Sequence, residues 1–519
     1  MNATMNTDLF SKNISALASE NDDIANQIRN TEVFYGYSGT KSAKSGSAVV
    51  LFDNNRPAHS LYDPEQEAVR LIEDIPEDAF ICFVGVGSGY HIRIFLDKHP
   101  RSRCLLVEPN ECVWKALLSL VDLSDILQNS RVSVCCRVDS ICEDLPLHWF
   151  PALSPRFRLI PLRSWKEFFP EASITALDGI NGALARISSD YSVQAHFGRL
   201  WFRNALMNIA QMDSSNNSIP HIDAQKEAVI AAAGPGLEKW LPRLRENRDR
   251  YAIFATDTSW GSLNNAGIEP DYFISIDGQN VSLSHVMNSL PASTIVFVDL
   301  CANPGVLRET KKAGCRCFIT GGGHPLIQST DLRNSLPPVD TSSGTVALAA
   351  RSIAYSLGFT SVFLAGADFC YPLGKAYARG TYLYDKFSAQ ATRLIPSESL
   401  WTGLLFRTEV ASLNDSNLRT YRTAVLDSYE EAAKNPQKMH DWNKNSFIPF
   451  SKERFFSSLK QGISRLTVSS SHEDPYLRSL LPLIAWARSF GDTKITEKKA
   501  PDPIESSIIL ALDLIERYT

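Results

Sequence analysis

The sequence predicts an α/β fold with two successive domains built on parallel sheets, followed by a helical carboxy-terminal region. Two blocks of apolar runs, one from residue 79 and one from residue 228, alternate with glycine turns and helical segments. The runs are continuously apolar rather than alternating, which is typical of parallel strands covered on both faces. Between residues 455 and 519, apolar residues recur at spacings of three and four, which predicts packed helices.

The composition of the chain excludes several classes of protein and of partner. The chain has 519 residues, enough for about three domains, and is 44% hydrophobic. Its net charge of -5 gives no basic field, so we expect neither nucleic acid nor a membrane as partner. Because no signal-like apolar core and no run near the ~20 residues of a membrane helix is present, we expect a cytoplasmic location. The ten cysteines lie mostly in apolar runs without metal-site spacing, which predicts reduced thiols, no metal and no cofactor.

Residues 1–170 are predicted to form the first domain. We expect a helix over residues 22–29 and a hairpin-like stretch over residues 33–53. From residue 78 the order strand, glycine turn, helix, strand describes a βαβ unit, with further strands at residues 132–136 and 158–161. The domain is therefore predicted to be Rossmann-like.

The glycine turn of this βαβ unit has two interpretations. Gly85, Gly87 and Gly89 follow the first strand, and Glu108 closes the next one, as in nucleotide-binding turns whose acid accepts ribose hydroxyls. In the alternative, the glycines only permit tight packing of the strand against the helix. No further methyltransferase or dehydrogenase motif follows, so we favour packing.

Residues 171–215 predict a helical connector, residues 216–427 a central Rossmann-like domain, and residues 428–519 a helical carboxy-terminal domain. Four loops of the central domain are expected to end at one edge of one sheet, which is the ligand crevice of open α/β sheets. Helix capping by a carboxylate would explain any one of these loops, but it explains all four poorly. The loops contain Gly234, Pro235 and Gly236; Asp257 and Thr258; Asp277 and Gly278; and Gly322 with His324.

The segment from 340 to 377 predicts a phosphate site. It contains a turn of small residues whose N–H groups can approach an anion, and the helix that follows points its positive end to the same place. The small residues are Ser342, Ser343, Gly344 and Thr345. A short strand at residues 362–365 leads to Asp368 at the same sheet edge, and Tyr371 and Tyr377 follow on an irregular segment that can cover a ligand.

Two motifs of the central domain resemble a known family. The motifs are A-A-G-P-G-L-E at 232–238 and S-S-G-T-V-A followed by L-G-F-T-S-V-F-L-A-G-A-D-F within 342–369. They resemble the motility accessory factor (Maf) family of flagellin glycosyltransferases, whose core is similar to bacterial sialyltransferases that use a CMP-sugar. The resemblance covers roughly residues 215–430, and it is more specific in order and spacing than in identity.

The resemblance implies an enzyme that transfers a nonulosonic acid, of the pseudaminic, legionaminic or sialic type, from CMP to Ser or Thr of flagellin. It implies inversion and a site without metal, because the central domain has no Asp-x-Asp motif. The turn Gly234-Pro235-Gly236 matches a G-P-S-L turn at the donor nucleotide but lacks its serine. Asp257 and Asp277 stand where the sialyltransferases have asparagines.

The same resemblance assigns the phosphate side of the site. Ser343 matches the serine of a T-S-G motif, and Tyr371 and Tyr377 match two lid tyrosines that hold the donor phosphate, with one residue inserted. The neighbouring residues of the crevice are expected to bind the donor as well. These are Thr258, Gly278, Gly322, Ser342, Gly344, Thr345 and Asp368.

The general base departs from the family pattern. The sialyltransferases use a histidine after the lid, whereas this chain has no histidine between His324 and His440. We therefore take His324 and Asp277 as candidates for the base. Two alternatives stay open: another nucleotide-dependent enzyme, similar to archaeal pterin diphosphokinases or to methyltransferases, and a non-catalytic flagellar accessory protein that binds a CMP-sugar.

Overall fold

The chain divides into two compact units. The computed structural model describes residues 6–212, 219–220, 222, 225–328, 330–415, 418–435, 440–442, 447–491 and 502–519. Unit 1 comprises Met1–His196 with Ile484–Lys498, and unit 2 comprises Phe197–Leu483 with Lys499–Thr519. The predicted boundary between residues 215 and 216 lies outside the described residues, and the division into four domains stays a prediction.

Unit 1 begins with two helices and a hairpin and continues with alternating strands and helices. Its elements are α1 (Thr7–Ala18), α2 (Asp22–Asn30), β1 (Tyr37–Ser42), β2 (Ala48–Phe52), α3 (Pro64–Ile72), β3 (Ala79–Val84), α4 (Tyr90–Lys98), β4 (Arg103–Val107), α5 (Glu111–Leu118), α6 (Ser124–Leu127), β5 (Val132–Cys135), α7 (Ile141–His148), β6 (Arg156–Pro161) and α8 (Arg163–Phe168). Helix α9 (Pro170–Ala210) begins in unit 1 and ends in unit 2.

The sheet of unit 1 is parallel, in the order β5-β4-β3-β6, and β1 pairs antiparallel with β2. All residues of β3 and β4 are buried, and all of them except Arg103 are apolar, as expected of parallel strands covered on both faces. The predicted helix near residue 22, the hairpin, the βαβ unit and the later strands are confirmed.

Unit 2 continues with six strands that alternate with helices, and then with a smaller sheet and more helices. Its elements are β7 (Glu227–Ala231), α10 (Leu237–Glu246), β8 (Tyr251–Thr256), α11 (Trp260–Asn265), β9 (Tyr272–Ser275), α12 (Val281–His285), β10 (Ile295–Asp299), α13 (Pro304–Lys312), β11 (Arg316–Thr320), α14 (Pro325–Gln328), α15 (Leu332–Ser335), α16 (Val346–Leu357), β12 (Val362–Ala365), β13 (Tyr371–Pro372), α17 (Tyr382–Gln390), α18 (Ser397–Leu405), β14 (Ala411–Asp415), β15 (Leu418–Arg422), α19 (Ala424–Lys434), α20 (Lys452–Ser464), α21 (Pro475–Ser479), α22 (Leu481–Gly491, which crosses into unit 1) and α23 (Pro503–Tyr518).

The main sheet of unit 2 has six strands in the order β11-β10-β9-β8-β7-β12, and every pairing is parallel. Strands β7 to β11 follow one another across the sheet in chain order, and β12 then lies on the other side of β7. This reversal makes the β7/β12 boundary a topological switch point, where open α/β sheets bind ligands. The predicted Rossmann-like α/β fold is confirmed for this unit.

A second sheet in unit 2 corrects the sequence prediction. The segment that carries Tyr371 was expected to be irregular, but Tyr371 and Pro372 form β13, which pairs antiparallel with β15; β15 in turn pairs with β14. The strands are short and polar, so they lack the apolar run that marks a buried strand. The helices expected after residue 427 are present as α19 to α23.

In the part of the chain that the structure describes, none of the helices combines the length and the apolar character needed to cross a membrane. No disulfide joins the ten cysteines, all of which fall within that part.

Candidate active site

Four aspartates stand at the carboxyl ends of strands in the unit 2 sheet. Asp257 follows β8, Asp277 follows β9, Asp299 ends β10, and Asp368 follows β12. Because all six strands are parallel, these ends share one edge of the sheet. The predicted convergence of the central-domain loops on this edge is confirmed, and the structure adds Asp299, which sequence reasoning did not include.

Asp368 holds the glycine turn that follows β7. The Gly236 N–H donates to Asp368 Oδ2 over 2.8 Å, and the Gly234 N–H donates to the Gly366 carbonyl over 2.9 Å. A Cβ at Gly236 would lie 2.1 Å from Asp368 Oδ1, so only glycine fits there. Pro235 lies between the two glycines, and its carbonyl accepts from the Glu238 N–H at the start of α10. In this conformation the Gly236 N–H is used inside the protein, which favours a positioning role for Asp368 over donor contact.

The small-residue turn before α16 presents free polar groups. Asp340 Oδ1 accepts from the backbone N–H and the hydroxyl of Ser342 at 3.0 and 2.6 Å and thereby fixes the turn. The Ser343 Oγ is buried without a hydrogen-bond partner among the described residues. Gly344 has a φ of 71°, and the side chain of Thr345, the residue before the 12-residue helix, does not cap it. An uncapped helix amino terminus beside an unsatisfied hydroxyl is the chemistry of an anion site.

One tyrosine contacts this turn, and two more are its electrostatic neighbours. The Tyr429 hydroxyl, on α19, lies 3.5 Å from the Gly344 carbonyl oxygen. Burial raises the pKa of Tyr371, Tyr377 and Tyr429, and Tyr371 further raises the pKa of the other two. The three phenols are therefore neighbours that stay protonated at neutral pH, so each can donate a hydrogen bond to an anion.

The backbone that carries Tyr371 is in an unusual conformation. Phe369 and Leu373, on either side of it, have φ values of 48° and 53°, in the left-handed region. Such a conformation costs on the order of 1–3 kcal/mol for each non-glycine residue and is found mainly at functional sites. The segment is also tied down, because the Ala378 N–H donates to the Ala233 carbonyl over 2.8 Å. Tyr377 is thereby kept next to the glycine turn.

Asp257 is fully enclosed at the end of β8. Its Oδ1 accepts from the backbone N–H and the hydroxyl of Thr258 at 2.7 and 3.1 Å, and its Oδ2 accepts from the Ser275 hydroxyl at 2.8 Å. Burial raises the pKa of Asp257, while His285 opposes the rise. Thr258 thus donates hydrogen bonds to the Asp257 carboxylate. Asp257 also interacts with His285, which the sequence analysis did not include.

Asp277 and Gly278 form the loop after β9. Asp277 Oδ1 accepts from the Gln279 N–H over 2.9 Å, and Asn204 of α9 donates to the Gly278 carbonyl over 3.1 Å. A Cβ at Gly278 would lie 2.9 Å from the Cys301 carbonyl oxygen, so this loop packs closely on its neighbour. The position of Asp277 is therefore fixed by contacts on both sides of it.

His324 and Gly322 lie on the loop after β11. The Nδ1 of His324 accepts from the Leu326 N–H over 3.1 Å, and burial lowers the pKa of His324 to about 4. This geometry favours a capping role at α14 over catalysis. A Cβ at Gly322 would lie 2.3 Å from Asp299 Oδ2, an oxygen that is buried without a partner in the described part of the chain. Burial raises the pKa of Asp299 to about 6.

The glycine turn of unit 1 is filled by the protein itself. Glu108 is fully buried and accepts hydrogen bonds from the Val86 N–H, the Trp165 indole N–H and the Tyr37 hydroxyl at 2.7, 2.7 and 3.1 Å. A Cβ at Gly85 would lie 2.7 Å from Trp165. Since the carboxylate is already satisfied and covered, the packing interpretation of this turn holds. Among the described residues of both units, no group of three or more His, Cys, Asp and Glu side chains is arranged to hold a metal ion.

The chain is similar to several known proteins. Two proteins of Treponema pallidum (strain Nichols), each described only as uncharacterized, align with the chain: one is 38% identical over 166 residues, 32% of this chain and 79% of the relative, and the other is 34% identical over 249 residues, 48% of this chain and 84% of the relative. The chain belongs to one family with these two proteins. Residues 203–374 also match a family model described as 6-hydroxymethylpterin diphosphokinase MptE-like.

Among solved structures, the chain is similar to the MAf glycosyltransferase from Magnetospirillum magneticum AMB-1. The similarity covers 99% of this chain and 95% of that chain, with 14% identity and a TM-score of 0.49. This similarity concerns the fold alone.

Three polar residues of the candidate site were missed by sequence reasoning. Asp299 ends an apolar run in the same way as Asp257, so the signal was present in the sequence. His285 ends a short helix a few residues after Asp277, whereas the sialyltransferase pattern has its histidine beyond the lid. Tyr429 carries no local signal, because only tertiary packing brings α19 to the turn before α16.

Proposed function

We propose that unit 2 is a glycosyltransferase that moves a nonulosonic acid from a CMP-linked donor to a Ser or Thr hydroxyl of flagellin, in the cytoplasm. The donor would lie at the carboxyl edge of the six-stranded sheet, near the switch point. The motifs at residues 232–238 and 342–369 support this choice of reaction class over other nucleotide chemistry.

The observation that carries the proposal is an uncapped helix amino terminus beside the Ser343 hydroxyl, which has no partner among the described residues. Tyr429 contacts the same turn at Gly344, and Tyr371 and Tyr377 are electrostatic neighbours of Tyr429. A CMP phosphate placed there would accept hydrogen bonds from the phenols, from Ser343 and from the backbone N–H groups that begin α16.

This arrangement stabilises the leaving group. As the bond from the sugar to the phosphate breaks, negative charge develops on the phosphate oxygen, and donors that are already in place act where the charge forms. The raised pKa values of the phenols keep their protons in place at neutral pH, so the donors do not add negative charge of their own. We therefore propose an inverting, metal-independent transfer.

The test is flagellin mass in a reaction with the full-length protein. Purified protein, CMP-pseudaminic acid and unmodified flagellin are incubated, and intact mass reports the sugar added. The double variant Tyr371→Phe with Tyr377→Phe keeps both rings and is expected to slow transfer by ~10²-fold or more.

The matched control is Tyr384→Phe, which removes the hydroxyl of a tyrosine that packs on Trp401 outside the phosphate turn. It is expected to transfer at the wild-type rate. If the double variant also transferred at the wild-type rate, the proposed leaving-group mechanism would be wrong; if the wild-type protein added no mass, the acceptor or the donor would be wrong.

The match of residues 203–374 to the MptE-like family model supports a second candidate, diphosphoryl transfer from ATP to a pterin. That reaction would use the same anion site but would need Mg²⁺. Asp277 and Asp299 are carboxylates at the same sheet edge and would be its candidate ligands. Two parallel incubations separate the two functions, one with ATP, Mg²⁺ and 6-hydroxymethyl-7,8-dihydropterin and one with CMP-pseudaminic acid and flagellin. AMP release in the first that EDTA abolishes favours the kinase, and CMP release in the second that EDTA leaves unchanged favours the glycosyltransferase.

A further inference from the structure

Helix α12 ends in a buried histidine at the sheet edge. His285 is only 9% exposed, and α12 packs on the short 3-10 helix Asp257–Ser259 that follows β8. The ring of Tyr382, the first residue of α17, meets the imidazole edge-to-face at 5.8 Å between centroids. His285 therefore lies between the sheet edge and the segment that follows Tyr377.

A purely structural role explains this histidine poorly. Its Nδ1 is buried without a hydrogen-bond partner among the described residues, which typically costs about 1–3 kcal/mol. His324 likewise has one nitrogen, Nε2, buried without a partner among the described residues, while its Nδ1 accepts from the Leu326 N–H. His285 differs because two carboxylates, Asp257 and Asp277, act on its imidazole, whereas burial alone acts on that of His324. An unsatisfied imidazole nitrogen at the edge where ligands bind indicates a group kept available for a ligand.

The charges around His285 suit a proton acceptor. Burial lowers its pKa, and the negative charges of Asp257 and Asp277 act in the opposite direction. The imidazole is therefore neutral and able to take a proton near neutral pH, and the imidazolium that results is stabilised by two carboxylates. The ring of Tyr382 also packs against the imidazole, and the Nζ of Lys386 lies on Tyr382, 6.0 Å from its ring centroid.

We propose that His285 is the general base of the transfer, with Asp257 and Asp277 as the positioning residues that stabilise its protonated form. The inference rests on the proposed glycosyl transfer. The acceptor hydroxyl oxygen attacks the anomeric carbon, the bond from that carbon to the phosphate oxygen breaks, and CMP leaves with the electron pair. The hydroxyl proton passes to the imidazole and then to water.

The position of this base in the chain differs from the expected one. The sialyltransferase pattern places a histidine after the lid, whereas here the imidazole comes from the loop and helix that follow β9. The acceptor would thus be deprotonated from the sheet side of the site, while the tyrosines hold the phosphate.

The test is the pH dependence of transfer by His285→Gln, compared with His440→Gln as a variant of a histidine outside the site. The wild-type rate is expected to fall as the pH drops through the pKa of His285, below its ordinary value of about 6.5. His285→Gln is expected to lose 10²- to 10⁴-fold in kcat and to lose this acid limb, with unchanged affinity for CMP. His440→Gln should keep the wild-type profile.

Two further variants show which group produces the acid limb. Asp257→Asn removes a charge that raises the pKa of His285, so the acid limb should move to lower pH. Asp299, whose pKa burial raises to about 6, titrates in the same range, so Asp299→Asn is measured in parallel. An acid limb that survives in His285→Gln and disappears in Asp299→Asn contradicts the role of His285.

The remaining outcomes are also decisive. Full transfer by His285→Gln, or a loss of CMP affinity that accounts for its loss of rate, overturns the inference while leaving the proposed function intact. A wild-type protein that releases no CMP, with flagellin or with water as acceptor, overturns the glycosyltransferase proposal and the role of His285 with it.

Discussion

The turn of unit 1 and the turn of unit 2 carry the same kind of sequence signal and differ in what occupies them. Gly85 in unit 1 is covered by Trp165, and the nearby Glu108 accepts from three donors of the protein. In unit 2, Ser343 Oγ has no partner among the described residues, and α16 has no side-chain cap. Small residues before a helix permit an anion site, but the side chains that pack on them decide whether it exists.

The largest effect is expected when the group that fills the unit 1 turn is removed. Trp165→Ala deletes a fully buried indole and a donor to Glu108, so we expect unit 1 to lose about 3–5 kcal/mol of stability. Hydrogen exchange of the Val86 amide, which donates to Glu108, reports the opening of this unit.

Trp165→Phe provides the control, because it keeps an aromatic ring against Gly85 while it removes the indole N–H and part of the buried ring volume. We expect a smaller loss, about 1–3 kcal/mol, from the unsatisfied carboxylate. Wild-type protection of Val86 in Trp165→Ala would mean that Trp165 does not fill the turn in solution.

A second prediction concerns the pH dependence of the same unit. Burial raises the pKa of Glu108 to about 7, above its ordinary value of 4.5, so folding favours the protonated acid. The associated stabilisation is complete below about pH 4.5 and is lost as the pH rises to about 7, on the order of 3 kcal/mol in all. Unfolding by urea at several pH values measures it. Glu108→Gln should remove this dependence, and an identical pH profile in that variant would contradict the prediction.

The smallest effects come from a matched pair of serines, one in each turn. Ser88 Oγ in unit 1 accepts from the buried Val50 N–H over 2.9 Å, so Ser88→Ala should cost about 1–3 kcal/mol of stability and leave CMP binding unchanged. Ser343→Ala in unit 2 should leave stability within about 0.5 kcal/mol and weaken CMP binding ~10-fold.

Calorimetric titration with CMP and thermal unfolding measure both serine variants. The comparison breaks if Ser343→Ala binds CMP with wild-type affinity, because the unpartnered hydroxyl would then lie outside the donor site. It also breaks if Ser343→Ala is as unstable as Ser88→Ala, because the hydroxyl would then have a structural partner.

Much of the fold follows from the sequence, because fully buried parallel strands such as β3 and β8 must be continuously apolar. The strands β14 and β15 could not be predicted from the sequence, because their residues are mostly polar and show no periodic apolar pattern. The glycine turns could be located, and packing was favoured for the turn of unit 1, but the side chains that cover each turn could not be named. The identity of Trp165 as the group that covers Gly85 depends on packing between segments far apart in the chain.

The candidate site, like the fold, could be predicted from the sequence only in part. Residues that end strands, such as Asp257 and Asp277, can be placed at the crevice from the pattern alone, since the carboxyl ends of parallel strands coincide. The hydrogen-bond partners of those residues cannot be predicted from the pattern. That Asp368 holds Gly236, and that Tyr429 reaches Gly344, are facts of tertiary packing with no signature in the local sequence.

The left-handed residues on either side of Tyr371 bear on how the site can open. Phe369 and Leu373 each occupy a narrow backbone well, separated from the ordinary one by a steric barrier. The backbone of Tyr371 is therefore held from both sides, because a displacement of this segment requires one of these neighbours to leave its well.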